Sequence, residues 1–132
     1  MFNKNAPLLS PEDEAIVTET IACAMAVHIE LGPGFKERIY HDAMCLELDS
    51  RGLKFECEKA VEVRYKSWSI PGQKIDLIVG GVVLIEVKAV AHLKELHRSQ
   101  VISYLKTTGL RVGLLMNFNT RLLKHGLKRV VL

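Results

Sequence analysis

Apolar and polar residues along this chain follow helical spacing in three stretches. The first begins at Ser10, with a proline and several acids behind it, and should run to about Glu30 before a Gly-Pro-Gly stop. The second should run from Gly34 to about Ser50, and the third from about Ala91 to Thr108. Each of these two is closed by a nearby glycine. The pattern therefore predicts three helices.

Strand patterns fill the regions between and after these helices. Phe55 to Tyr65 contains alternating apolar and polar residues, whereas residues 67–72 are rich in turn formers and predict a loop. Two β-branched runs between Lys74 and Ala89 flank Gly80-Gly81. They predict a tight hairpin, because adjacent glycines supply the positive φ angles that such a turn needs. Two later apolar runs predict strands at Arg111–Phe118 and Leu127–Leu132.

The second helix carries two apolar stripes. The main stripe holds Phe35, Ile39, Ala43 and Leu46, and the second holds Glu37, Tyr40, Met44 and Leu48. A helix that is apolar on two sides is expected to be sandwiched between other elements. Glu37 would then be a carboxylate in line with buried side chains. The alternative is that it only stabilises the start of the helix, as acids in a first turn commonly do.

Three charged residues lie inside the apolar hairpin. Asp76 is on its first strand, and Glu86 and Lys88 share one face of the second, about 7 Å apart along the strand. A structural ion pair between Lys88 and one acid is one explanation, since unpaired buried charge is costly. However, the acids outnumber the lysine, and two carboxylates about 5 Å apart repel by roughly 3 kcal/mol at an effective dielectric near 20. A divalent cation would remove that repulsion, and oxygen ligands favour Mg²⁺ or Mn²⁺.

Gln100 lies near the middle of the broad apolar face of the third helix, four residues before Tyr104. Residues at this spacing are neighbours on a helix surface. An inward amide needs partners, or it costs about 1–3 kcal/mol. A hydrogen bond to the main chain would satisfy Gln100 as well as a functional contact would.

Composition and length are those of one globular domain with its own core. The chain has 132 residues, of which 48% are hydrophobic and 25% charged. We expect residues 1–9 to be a flexible leader and residues 10–132 to be a single domain. The beginning of the chain lacks the apolar core of a signal peptide, and the apolar runs are too short to span a membrane. Three widely spaced cysteines are typical of reduced, mostly buried thiols in a cytoplasmic protein: Cys23, Cys45 and Cys57.

The charge is distributed unevenly along the chain. Residues 1–87 hold 9 Lys and Arg against 14 Asp and Glu, a balance of −5. Residues 88–132 hold 9 Lys and Arg against Glu95 alone, a balance of +8. Such a basic segment could attract a polyanion such as DNA or RNA. It could equally be a solvated face that offsets the acidic half.

The element order and the placement of Asp76, Glu86 and Lys88 resemble those of the PD-(D/E)XK nuclease superfamily. More narrowly, the pattern Gly34-x-x-Glu37-x-x-Tyr40 is similar to the family named GxxExxY. The resemblance runs from about His28 to the C-terminus and includes the Gln-x-x-x-Tyr pair of the third helix. Ile75 stands where the superfamily's name has proline. The resemblance implies an α/β (α+β) fold with a restriction-endonuclease-like core, a mixed sheet in αβββαβ order and an extra N-terminal helix.

The resemblance also implies a role for each matched residue. Asp76 and Glu86 would hold Mg²⁺ or Mn²⁺ with help from the main-chain carbonyl of Val87, and Glu37 would complete the site directly or through water. Lys88 would orient or deprotonate the attacking water. The residues expected to position substrate or the carboxylates are Tyr40, Gln100 and Tyr104.

Three hypotheses about function follow. The first is a metal-dependent nuclease that hydrolyses phosphodiester bonds in DNA, with RNA as the alternative substrate. It would act alone, as a homodimer or with another subunit. The second is a non-catalytic module on a nuclease scaffold that binds nucleic acid or a protein partner. The third is a structural protein whose charges form an internal network.

Overall fold

The computed structural model describes residues 9–132, which form three α-helices, five strands and one 3₁₀ turn. In chain order these are helix α1 (Pro11–Leu31), helix α2 (Glu37–Ser50), strands β1 (Phe55–Tyr65), β2 (Trp68–Val79) and β3 (Val83–Lys88), helix α3 (Glu95–Thr108), strand β4 (Val112–Asn117), the 3₁₀ turn (Leu123–His125) and strand β5 (Leu127–Val131). The leader expected at residues 1–9 lies, except for Leu9, outside the described residues.

The first helix begins and ends as its sequence predicts. The Ser10 hydroxyl accepts a hydrogen bond of 3.1 Å from the main-chain N–H of Asp13, and Pro11 takes the first helical position. The third helix begins at Glu95, so its predicted start at Ala91 was wrong. The main-chain N–H of Lys94, the residue before the helix, donates to His97 Nδ1 at 3.0 Å. At the other end of the non-helical segment, the Asn117 side chain of β4 bonds both the N–H and the carbonyl of Val90 at 3.0 and 2.9 Å.

The five strands form one mixed sheet in the order β1-β2-β3-β4-β5. Strands β3 and β4 are parallel, and the other neighbouring pairs are antiparallel. The parallel pair is joined through α3, as such a crossover requires. The mixed sheet and the αβββαβ order after an extra N-terminal helix confirm the expected fold class.

Helices cover both faces of the sheet. A buried cluster that includes Leu77, Ile85 and Val87 packs against α1 and α2, and a second cluster that includes Leu84 packs against α3. Only one stripe of α2 is buried, which makes the predicted sandwich wrong. Its buried residues are Tyr40, His41, Met44 and Leu48, and its exposed apolar residues are Ile39 and Leu46. Apolar spacing marked both stripes, but in the folded chain the first stripe is covered only in part, at Ala43.

The hairpin of β1 and β2 is longer than the sequence indicates. Residues 68–72, predicted to be part of a loop, continue β2, and the turn narrows to Lys66 and Ser67. Opposite Val61–Val63 the register shifts by one residue on β2, at Pro71-Gly72. Proline and glycine are tolerated in strands at such bulges. The turn-forming residues therefore mark an irregularity inside the strand.

Other expectations have mixed outcomes. Gly80 and Gly81 have φ angles of 60° and 67°, which confirms the tight turn between β2 and β3. Of the three free cysteines, only Cys23 is buried, whereas Cys45 is partly exposed and Cys57 is exposed. None of the helices in residues 9–132 combines the length and apolar character that crossing a bilayer requires.

Candidate active site

Asp76 lies where β2 and β3 separate. The ladder between these strands covers Leu77 to Val79, and Asp76 comes directly before it. Face alternation breaks here, because Ile75 and Ile78 both pack into the α3-side cluster. The Asp76 carboxylate oxygen Oδ2 accepts a hydrogen bond of 2.8 Å from the main-chain N–H of Val87. This hydrogen bond attaches the Asp76 side chain to β3 at the residue between Glu86 and Lys88.

Glu86 and Lys88 share the α3-facing side of β3. The Lys88 Nζ atom lies 3.5 Å from Glu86 Oε1, and the side chains are only 16% and 6% exposed. The other carboxylate oxygen of Glu86, Oε2, is buried and has no hydrogen-bond partner within residues 9–132. Lys88 therefore pairs with only one of the two oxygens of this buried carboxylate.

Burial and neighbouring charge make Glu86 hard to ionise. Removal of its carboxyl from water, followed by the negative charge of Asp76, raises the pKa of Glu86 to about 8, against an opposing effect of Lys88. Burial also raises the pKa of Tyr104, helped by the charge of Glu86. Such mutual effects indicate that Asp76, Glu86 and Tyr104 lie in one electrostatic neighbourhood.

Glu37 opens α2 and belongs to the same neighbourhood, although its side chain is exposed. Desolvation raises the pKa of Glu37, with Lys88 lowering it and Asp76 raising it. The position of Glu37 is set by the turn that precedes it, in which Gly32 and Gly34 have φ angles of 66° and 107°. Only glycine adopts the second of these readily.

Tyr40 stabilises that turn. Its hydroxyl donates to the Gly32 carbonyl at 2.6 Å and accepts from the Phe35 N–H at 3.1 Å. Its ring is fully buried and stacks on Phe118, with ring centroids 4.8 Å apart. These contacts set the start of the helix that carries Glu37. The role of Tyr40 in substrate binding stays a prediction.

Gln100 and Tyr104 are paired on α3 as their spacing predicts. The Gln100 amide donates to the Tyr104 hydroxyl at 3.1 Å. Tyr104 is 5% exposed, while Gln100 is only partly buried. The pair faces the side of the sheet that carries Glu86, since Tyr104 packs with Leu84. It stays a prediction that these two residues contact substrate.

Two residues near the site were not assigned a role from the sequence. His41 is buried, and its Nε2 atom lies 3.2 Å from the main-chain oxygen of Asp76. Its Nδ1 atom lies 3.2 Å from Asp42 Oδ1. Asn117 clamps the segment after Lys88 through its bonds to Val90. The only sequence signal for His41 was its place four residues after Glu37, on the same side of the helix.

The arrangement suits a divalent cation held by few protein ligands. Within residues 9–132, no three His, Cys, Asp or Glu side chains form a metal-ligating group. Mg²⁺ is commonly bound through one or two carboxylates while keeping several waters. Asp76 and Glu86 fit that pattern, because Glu86 Oε2 is buried without a partner and a cation would also offset the repulsion between the two acids.

A mixed sheet with helices on both faces, and with two acids and a lysine where two strands part, defines a restriction-endonuclease-like fold. The family model described as the PD-(D/E)XK nuclease superfamily matches residues 14–130. This is nearly the whole chain, and the chain therefore belongs to that superfamily. Its members generally use divalent metal ions. Searches of curated proteins and of solved structures found no match.

Proposed function

We propose that this protein is a Mg²⁺- or Mn²⁺-dependent nuclease that hydrolyses phosphodiester bonds in DNA, with RNA as the alternative substrate. The observation that carries the proposal is the state of Glu86. This buried acid has Lys88 at 3.5 Å on one oxygen and no partner within the described residues on the other, with Asp76 close by. A structural ion pair with Lys88 accounts for one oxygen only, and a hydrogen bond between the Glu86 and Asp76 side chains requires a proton on one of the two acids.

The residues of the site divide the chemistry among them. When bound, the ion supplies an electrophile for the phosphate oxygens and makes water more acidic. Lys88 orients the attacking water, takes up its proton or donates a hydrogen bond to it, and offsets charge that develops on the phosphate. Asp76 and Glu86 hold the ion, with the Val87 carbonyl as a third oxygen donor.

Glu37 completes the site through water. Its exposed position at the start of α2 and the lack of a three-acid group in residues 9–132 support this arrangement over direct ligation. Gln100 and Tyr104 position the substrate or the carboxylates from the α3 side. The basic segment 88–132, with its balance of +8, attracts the phosphate backbone without sequence preference.

Within the superfamily, we assign the chain to the GxxExxY branch. The structure supports this assignment because each residue of the motif has a distinct place. Gly34 shapes a turn, the Tyr40 hydroxyl bonds to it, and Glu37 lies between them at the start of the helix.

Three free cysteines support action in the reducing cytoplasm.

A cleavage assay on linear, circular and single-stranded DNA, with and without Mn²⁺, tests this proposal. Lys88→Ala should lower the rate by about 10²–10⁴-fold, the usual contribution of a positioned acid or base, without unfolding the protein. Lys54→Ala is the matched control, because Lys54 is exposed and lies beside the Gly80 turn, at the end of the β2–β3 ladder away from Asp76. Full activity in folded Lys88→Ala would overturn the mechanism.

A non-catalytic nucleic-acid- or partner-binding module is the second candidate. It is favoured by the lack of a three-ligand metal group in the described chain. Calorimetry with Mg²⁺ and Mn²⁺ separates the two candidates. Metal binding that is lost in Glu86→Ala supports the nuclease, whereas salt-sensitive DNA binding without measurable metal binding supports the module.

A further inference from the structure

The hairpin of β1 and β2 extends well past the rest of the sheet. Its ladder continues to Tyr65 and Trp68, past the bulge opposite Val61–Val63, whereas the described ladder between β2 and β3 covers Leu77 to Val79. We call residues 60–74 the arm. From Asp76 to Trp68 the chain reaches about 25 Å at roughly 3.3 Å per residue. The arm therefore starts beside the candidate active site and leads away from it.

One face of the arm continues the face of the sheet that carries the site. Val61, at the base of the arm, packs into the α3-side cluster together with Leu84. Strand alternation places Tyr65 on the same side as Val61, and Trp68 is its cross-strand partner. The same alternation on β3 places Glu86 on the side of Leu84. The aromatic residues of the arm and the acid of the site thus face the same way.

The tip of the arm exposes large apolar side chains. Tyr65, Trp68 and Ile70 are 55%, 62% and 50% exposed. The rings of Tyr65 and Trp68 are stacked, with centroids 6.3 Å apart and planes 20° apart, and the Lys66 ammonium lies 5.4 Å from the centre of the Tyr65 ring. Trp68 therefore lies outside the core.

The arm is also positively charged. It holds three basic residues and one acid, a net charge of +2, and all four are exposed: Arg64, Lys66, Lys74 and Glu62. Flat aromatic rings with a cation beside them, as Lys66 lies beside Tyr65, are features with which proteins bind single strands, by stacking on bases and pairing with phosphates. Strand alternation places Arg64 and Lys74 on the other face of the arm, where they add to its overall positive charge.

We propose that the arm binds unpaired bases of a single-stranded nucleic acid whose backbone reaches the active site, an inference that rests on the proposed function. The faces of paired bases are covered by their neighbours in a duplex, so Tyr65 and Trp68 select the unpaired form. A second copy of this chain fits the tip less well. Two arms packed tip to tip would place Arg64 and Lys66 near their own copies, where like charges repel.

Trp68 provides a direct test, because it is the only tryptophan of the chain. In metal-free buffer, single-stranded oligothymidylate should quench its fluorescence to saturation, and added salt should reverse the effect. By anisotropy of a labelled strand, Trp68→Ala should weaken binding about tenfold, while Trp68→Phe should retain most of the affinity. Duplex of the same length should bind more weakly and should be insensitive to Trp68→Ala.

Leu46→Ala is the matched control, since Leu46 is 72% exposed on α2. Its affinity for the single strand should equal that of the wild type. Unchanged affinity in Trp68→Ala, or unchanged fluorescence on saturation with single strand, would overturn the proposal. So would fluorescence that changes with protein concentration alone, together with a sedimenting dimer that Trp68→Ala disperses, because the tip would then bind a second copy.

The two proposals can fail separately. Binding by the arm is measured without metal and in the Lys88→Ala background, whereas cleavage is measured with Mg²⁺. If Lys88→Ala cleaves normally and Trp68→Ala loses single-strand binding, the nuclease mechanism is wrong and the arm proposal survives as a binding surface. If Lys88→Ala loses cleavage and Trp68→Ala binds normally, the arm proposal alone is wrong.

Discussion

The carboxylate of Asp76 accepts a hydrogen bond of 2.8 Å from the main-chain N–H of Val87, eleven residues along the chain. This bond fixes one acid of β2 beside Glu86 of β3 at the point where the two strands part. It also keeps two carboxylates close together, and Asp76 accordingly raises the pKa of Glu86. The bond therefore holds Asp76 where its charge opposes the ionisation of Glu86.

Asp76→Asn should stabilise the metal-free protein. The amide oxygen of asparagine can still accept from Val87, while the repulsion with Glu86 is removed. The gain should be largest above about pH 8, where Glu86 is charged. Thermal melts of the variant and the wild type in the presence of a metal chelator measure this gain in stability. Lower stability of the variant would instead support a structural charge network.

The stability of the metal-free protein should fall as pH rises. Because the pKa of Glu86 is raised from 4.5 to about 8, folding favours its protonated form. This stabilisation is fully present below pH 4.5 and is lost as pH rises through about 8. At about 1.4 kcal/mol per pKa unit, the loss amounts to a few kcal/mol. Urea unfolding of wild type and Glu86→Gln between pH 4.5 and about 8 isolates this loss. If the difference in free energy of unfolding between the two proteins stays constant over that pH range, the prediction is wrong.

Glu37→Gln should weaken the use of metal without unfolding the protein. An acid that acts on the ion through water is expected to contribute about 10–100-fold to affinity or activity. The variant should need more Mg²⁺ for half-maximal cleavage, whereas Glu30→Gln on the exposed side of α1 should behave as wild type. Complete loss of metal binding in Glu37→Gln would show direct ligation.

Tyr40→Phe should affect stability more than substrate binding. The change removes the hydroxyl that bonds Gly32 and Phe35, which should cost about 1–3 kcal/mol in the free energy of unfolding. Tyr65→Phe is the control, because that side chain is exposed at the tip of the arm. A raised KM with unchanged stability would identify Tyr40 as a substrate-binding residue.

His41→Ala should impair the site from a distance. His41 lies 3.2 Å from the Asp76 carbonyl, so its loss frees the segment at which β2 bends. We expect metal affinity to fall about 10–100-fold, as for other residues that support ligands. His41→Gln, which keeps a donor, should recover part of that loss in calorimetry with Mn²⁺. Equal affinity in wild type and His41→Ala would limit His41 to packing.

Much of the fold could be predicted from the sequence because its signals are local. The Ser10 cap, the Gly80-Gly81 turn and the periods of the helices each depend on residues within a few positions of one another. The charges on the central hairpin are equally local, since alternation alone places Glu86 and Lys88 on one face. These local features were sufficient to predict the helices and strands, and to select the acids and the lysine of the candidate site.

The tertiary structure decided what depends on distant partners. Asn117 holds the segment before α3 by bonding Val90, 27 residues away, and His41 reaches Asp76 across 35 residues. Whether an apolar stripe is buried depends on what packs against it, so α2 exposes Ile39 and buries Tyr40. The physical reason is that hydrophobic spacing records a residue's preference for burial, whereas burial itself requires a neighbour that only the folded chain supplies.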